Sequence, residues 1–240
     1  MQQAKSIKRF WKKADIKTDA DAIQVMLDGR SLKTIDGHPC RLSPDDRCIA
    51  VAVAGEWESA TEQVKPHGLA VTSIVARAID TFGDAEARAK AIDKLMAFLH
   101  RDTLCYEHDH PSSLVELQSM HWRPLVEWAR QRYQVELTVT NSIMGIQQPQ
   151  ATVDALRAVV ATYSPLQLAA FEQAVLASKS FIIALALTER QINVQQAVEA
   201  AQAEVLAQIK QWGMVEDGHD LDFELLHQQL GAASCAFIGR

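Results

Sequence analysis

The spacing of apolar residues changes once along this chain, between residues 60 and 70, and that change limits what its 240 residues can fold into. Before it, Ile23, Val25 and Leu27 alternate, the period of a strand with one buried face. The turn pairs Asp28-Gly29 and Asp36-Gly37 divide residues 7–42 into a meander of short strands. Ser43-Pro44-Asp45-Asp46 then opens a helix with a hydroxyl cap, a first-turn proline and two acids. Ile49, Val53 and Trp57 share one face of that helix and are expected to pack on the sheet, and Lys65-Pro66-His67-Gly68 breaks the pattern. From Thr72 onward the period is helical, with helices predicted over 73–81, 84–100, 112–132, 151–162, 165–188, 194–212 and 220–237. Leu104-Cys105-Tyr106 and Val135 to Thr140 read as strands between them, the second from its β-branched residues. The predicted fold is α+β: a small N-terminal domain of antiparallel strands plus a helix, residues 1–65, then a larger, mainly helical domain, residues 66–240.

Charge and cysteine usage remove several classes of function. A net charge of −6 is wrong for a general nucleic-acid binder, although Lys5, Lys8, Arg9, Lys12 and Lys13 form a basic strip around Phe10 and Trp11 that invites an anion. Cys40, Cys48, Cys105 and Cys235 are scattered without a C-x-x-C pair, so reduced thiols are expected rather than disulfides or a zinc knuckle. The apolar run from Phe181 to Leu187 is too short to span a bilayer, so no stable membrane insertion is expected. Neither a dinucleotide fingerprint nor a P-loop occurs, and no cofactor is expected.

The remaining candidates for chemistry are few. His108 and His110 alternate within Glu107-His108-Asp109-His110 but lack further ligands at metal-site spacing, and a solvated loop is the expectation. Cys105 reads as a core residue rather than a nucleophile. Trp122, Trp128 and Trp212 fall on apolar helical stripes and are expected in the core, as is Trp11 on an edge strand. Trp57 either anchors its helix to the sheet or touches a partner. Glu172 sits inside the apolar run Leu166 to Leu176, where a carboxylate needs a cation or a place on a binding face. Glu216, Asp217 and Asp220 lie at a junction between two helical patterns, where Gly213 loosens the first and carboxylates cap the second. An acid/base site built from Glu216, His219 and Asp220 is the enzymatic alternative.

Six short stretches carry a family resemblance in their order. These are Lys8-Arg9-Phe10-Trp11-Lys12, Glu56-Trp57, Arg77-Ala78-Ile79-Asp80, Asp102-Thr103-Leu104-Cys105-Tyr106, Trp122-Arg123-Pro124-Leu125 and Trp212-Gly213-Met214-Val215-Glu216-Asp217-Gly218-His219-Asp220. Together they resemble the assembly chaperone family for the α subunit of F1-ATPase, ATP synthase F1 complex assembly factor 2, over about Lys8 to Phe237. The resemblance implies a non-enzymatic protein that binds the unassembled α subunit and prevents its aggregation before the hexamer forms. It also implies that Glu172 and Glu216 are functionally important acids and that Trp57 has a role both structural and interactive. Arg123 departs from the family, whose residue there is often acidic. Eukaryotic members carry a presequence, so a sequence that starts just before the matching region is expected to be a mature form or a bacterial relative; the wording around Gly218 to Asp222 and the Phe237 to Arg240 ending are similar to plant or algal members. The expected location is therefore the mitochondrial matrix, with the bacterial cytoplasm as the alternative, and the free protein is expected to be a monomer.

Overall fold

A computed structural model describes residues 7–64, 68–142, 144–213 and 219–238. The N-terminal layer is built on the hairpin of β2 (Ala14–Thr18) and β3 (Ile23–Leu27), which pair antiparallel with Ile16 opposite Val25. Strand β3 continues through Asp28 and Gly29, both at positive φ, into β4 (Arg30–Ser31). Its free end pairs with β5 (Arg41–Leu42), so of the meander expected over residues 7–42 the part from Ala14 to Leu42 is present, while residues 7–8 belong to a separate sheet. The alternation works as predicted, because Ile23, Val25 and Leu27 are buried while Gln24 and Met26 face outward.

Ser43 accepts from the Asp45 amide, and the turn Pro44–Asp46 leads into helix α1 (Arg47–Ser59). Ile49, Val53 and Trp57 are buried against β2 and β3. Helix α1 stops at Ser59, and β6 (Gln63–Val64) returns to pair with β1 (Ile7–Lys8), a ribbon the alternation of side chains did not announce. Arg9 closes the end of α1 by donating Nη1 to the carbonyls of Glu58 (2.9 Å) and Ala60 (2.6 Å). A guanidinium is well suited to this task, since the last carbonyls of a helix lack internal partners and carry partial negative charge.

The helical body comprises α2 (Ala70–Asp80), α3 (Ala85–His100), α4 (Ser112–Leu117), α5 (Arg123–Tyr133) and α6 (Gln150–Ala161), then α7 (Pro165–Ser178), α8 (Phe181–Thr188), α9 (Val194–Ala201), α10 (Ala203–Trp212) and α11 (His219–Cys235). A π-turn, Gln118–Trp122, joins α4 to α5. All eight residues of α8 are buried, as a helix apolar on every side must be. Helices α5, α7 and α9 pack around it, and α11 lies along α7, with Phe237 edge-on to Tyr163 at 5.5 Å.

Four expectations are corrected. Residues 165–188 form two helices, because Lys179 takes a left-handed conformation and Ser180 starts α8 by accepting from the Ile183 amide. Residues 194–212 are likewise divided, at Gln202. Residues 135–140 are not a strand: the Thr138 amide and carbonyl bond to the Gln148 side chain (2.9 and 3.0 Å), Arg130 donates to the Leu137 carbonyl and Thr152 to that of Glu136. Side chains have taken the backbone partners that a neighbouring strand would supply. Leu104 and Cys105 lie in a tight turn, Thr103–Cys105, and a single bridge between Tyr106 and Thr140 is the remnant of strand pairing there.

Candidate functional site

Helix α2 is where most of the sequence-predicted features meet. Its N-cap residue is Leu69, which has no side-chain acceptor, so its first amides need a partner from elsewhere. Glu56 of α1 supplies it, accepting from the Val71 amide at 2.7 Å, the Thr72 amide at 2.8 Å and the Thr72 hydroxyl at 2.6 Å. The next residue, Trp57, is 6% exposed and donates Nε1 to the Thr72 hydroxyl at 3.1 Å. Trp11 packs on it with ring centroids 4.9 Å apart and donates to the Trp57 carbonyl at 3.0 Å. Trp57 thus ties α1 to the start of α2, with its indole nearly enclosed.

The other end of α2 holds two charged residues three apart, hence on one face. Arg77 makes a two-pronged ion pair with Glu172 of α7, Nε to Oε2 at 2.8 Å and Nη2 to Oε1 at 3.0 Å. The cation that Glu172 required is therefore present, 95 residues away in sequence. The Glu172 side chain is 14% exposed and that of Arg77 42%, so the pair sits at the rim of the body rather than inside it. Hydrogen bonding to Glu172 raises the Arg77 pKa further above its ordinary value. Asp80 accepts from the Thr34 hydroxyl at 2.6 Å and lies 2.9 Å from His38 Nδ1, pinning the turn between residues 34 and 38 to α2. Burial pushes the Asp80 carboxyl up, but bonds from Thr34, His38 and the Asp36 amide outweigh it and hold the group below the usual range.

A fourth carboxylate is one that the sequence pattern does not single out. Asp102 is wholly buried and accepts from the Leu104 amide (3.0 Å), the Ser180 hydroxyl (2.8 Å) and the Ile182 amide (2.9 Å) at the start of α8. Burial pushes it up to about 6, against the lowering effect of those donors. Its signal was its place at the head of Asp102-Thr103-Leu104, where the side chain also caps the turn.

Glu216 and Asp217 lie outside the described residues, as does Lys5. Asp220 is exposed in the first turn of α11. Trp212, expected in the core, is 73% exposed at the end of α10, because the stripe it was read from breaks at Gln202. Trp122 is buried and donates to the Ala200 carbonyl, while Trp128 is half-buried against Tyr133. Cys40 and Cys105 are buried; burial raises both thiols, Cys40 to about 11, which makes them inert. His108 and His110 do not join a group of metal ligands among the described residues. Arg123 is paired with Glu107 at 2.9 and 3.0 Å. No described helix is long and apolar enough to cross a membrane.

One open surface depression of about 600 Å³ lies over Val115, Glu116, Ser119 and Met120, a lining that brings no acid and base together. Exposed apolar side chains are more prominent than any cleft, with Phe10, Ile35, Met120, Leu176, Trp212 and Leu221 among them.

Comparison with known proteins gives three kinds of match. The family model for the ATP12 chaperone protein matches residues 8–130. The mitochondrial protein atp12 of Schizosaccharomyces pombe is 31% identical, over 98% of this chain and 83% of its own. The mitochondrial ATP12 of Saccharomyces cerevisiae is 26% identical over 97% of this chain and 84% of its own. Among solved structures, Atp12 from Paracoccus denitrificans superposes with a TM-score of 0.82 at 26% identity, covering 97% of this chain and 98% of that one. The Atu1473 protein of Agrobacterium tumefaciens gives 0.83 at 27% identity, covering 97% and 85%. The likeness includes the small antiparallel layer followed by a mostly helical body.

Proposed function

The chain belongs to the ATP12 chaperone protein family, and on that premise we propose that it is an assembly chaperone of ATP synthase that holds the unassembled α subunit of F1-ATPase. The observation that carries the reading is a family match extended by relatives over nearly the whole chain. The physical logic supports it. A subunit awaiting its neighbours exposes apolar interface, and a partner that masks it reversibly needs exposed apolar residues on a rigid frame. In this proposal Glu172 and Glu216 belong to the contact region, while Trp57 holds α2 in place from inside. In this reading the N-terminal layer, residues 1–65, braces α2 of the helical domain, residues 66–240. The working location is the mitochondrial matrix, the bacterial cytoplasm being the alternative, and the free form is a monomer.

Co-expression tests the function. The α subunit, produced without its β partner, should remain in the soluble fraction with this protein and aggregate without it. Equal aggregation under matched expression would rule the function out.

A further inference from the structure

We propose that the outward face of the first two turns of α11, where Leu221 and Leu225 stand between Asp220, Asp222 and Glu224, is a docking ridge for a basic amphipathic helix of the client. This deepens the function proposed above and rests on it. Leu221 is 69% exposed and Leu225 40%. They are four residues apart on one helix, so their side chains sit one turn above the other and form one surface. Neither belongs to the stripe that holds α11 to the body. Leu226, Leu230 and Ala233 are buried, and Leu221 lies about two and a half turns before Leu230, on the opposite side of the helix.

The body leaves those turns uncovered. Of residues 220–225 only Phe223 packs against the core, and Leu226 is the first buried side chain after them. From there on the helix is fastened: His227 Nε2 lies 2.8 Å from Gln195 Oε1 on α9, and Gln228 donates to the Gly68 carbonyl at 3.2 Å. Two turns of helix in water are not stable by themselves, since a short helix depends on tertiary packing of its apolar face. Here the packed part holds the free part in register, so the leucines are presented to a partner at little ordering cost.

Charge identifies the occupant. Successive residues of a helix are about 100° apart, so Asp220 and Asp222 flank Leu221 on its two sides and Glu224 flanks Leu225. None of the three carboxylates forms an ion pair among the described residues, whereas Glu116, Glu172 and Glu189 each hold a lysine or arginine of another element. The amides at the start of α11 favour negative charge, which accounts for Asp220 and Asp222 in the first turn but not for Glu224 or for the leucines between them. A second copy of this ridge would set acid against acid, and so would an anionic lipid surface. A helix whose apolar stripe is lined on both sides by lysine or arginine meets both features at once. Its apolar stripe covers the leucines, and its cations reach the carboxylates at the rim, where water still solvates them.

The test uses the full chain in binding titrations with purified α subunit and with a synthetic amphipathic helix of leucine and lysine. The leucine–lysine peptide should compete with the α subunit, and a leucine–glutamate peptide of the same pattern should not. Leu221→Ala combined with Leu225→Ala should weaken both ligands about tenfold, as the loss of interface anchors does. Asp222→Asn combined with Glu224→Gln should weaken both and flatten the dependence on salt. Melting temperatures should stay close to that of the wild type, because all four side chains are exposed. Met120→Ala, exposed on the π-turn, should bind like the wild type. If the wild type binds the α subunit and both double variants bind it as tightly, the ridge is wrong while the function stands. If the lysine peptide does not compete, or the glutamate peptide competes equally, the occupant is wrong and the proposal is overturned. Failure of the wild type to bind the α subunit overturns both proposal and function.

Discussion

Asp102 and Glu172 are both carboxylates next to apolar helices of the body, yet they are neutralised in different ways. Asp102 is wholly enclosed and has amides and a hydroxyl as partners, with a carboxyl pushed up to about 6. Glu172 lies at the rim and has a guanidinium as its partner. An acid satisfied by the start of a helix is consumed by the fold, since every oxygen is directed at backbone that must stay put. An acid satisfied by an exposed arginine leaves a neutral, planar pair at the surface that a partner can cover. Burial alone therefore does not separate structural from interactive acids; the kind of counter-group does.

The largest effect expected from this contrast is on the interior acid. Asp102→Ala leaves the Leu104 and Ile182 amides and the Ser180 hydroxyl without their acceptor, and should destabilise the protein by on the order of 2–4 kcal/mol in urea unfolding. A loss below about 0.5 kcal/mol would erase the distinction drawn here.

The pH dependence sharpens it. Because the folded pKa of Asp102 is raised to about 6 from 3.8, the native state binds this proton more tightly than the unfolded chain does. Its contribution to stability is full below about pH 4 and is lost as pH rises through about 6. Relative to wild type, Asp102→Asn should lack that loss, so the stability difference between the two should change across this window. A constant offset from pH 4 to 7 would contradict the assignment.

At the rim the effects are smaller on stability and larger on binding. Glu172→Gln should cost about 1 kcal/mol or less of folding stability, as a partly exposed ion pair does, while weakening α-subunit binding by freeing Arg77. If unfolding suffers as much as for Asp102→Ala, Glu172 belongs with the structural acids. Smallest of all, Trp212→Ser should shift unfolding by less than about 0.5 kcal/mol, because the side chain is largely in solvent.

The two acids also show how far the sequence could be read. Glu172 stood out because its neighbours are apolar, and the need for a cation followed from desolvation. That the cation is Arg77, 95 residues earlier, is a tertiary fact that no local pattern carries. Alternation and turn chemistry place β3, the turn after it and the start of α1, since each is decided within a few residues. The break at Lys179 was hidden because Ala174, Val175, Phe181 and Ile182 continue one apolar run on both sides. The false strand over residues 135–140 had the right residues, but Gln148 supplies the hydrogen bonds instead. The apolar spacing points Trp212 inward only if the helix is continuous, and the break at Gln202 turns it to solvent. Glu216 was legible only through family resemblance, and it lies outside the described residues.

The cap that Asp102 provides for α8 has a consequence for the order of events during synthesis. Its acceptor oxygens are made about eighty residues before the Ile182 amide they bind, and α8 is the segment around which α5, α7 and α9 close. While the ribosome works through the intervening stretch, the apolar surfaces destined for α8 have nothing to cover them, and closing so long a loop precedes any reward from its contacts. Arg77 waits still longer for Glu172, and the Gly68 carbonyl longest of all for Gln228. The nascent chain thus spends much of its synthesis in the same exposed state from which the mature protein is proposed to shelter its client.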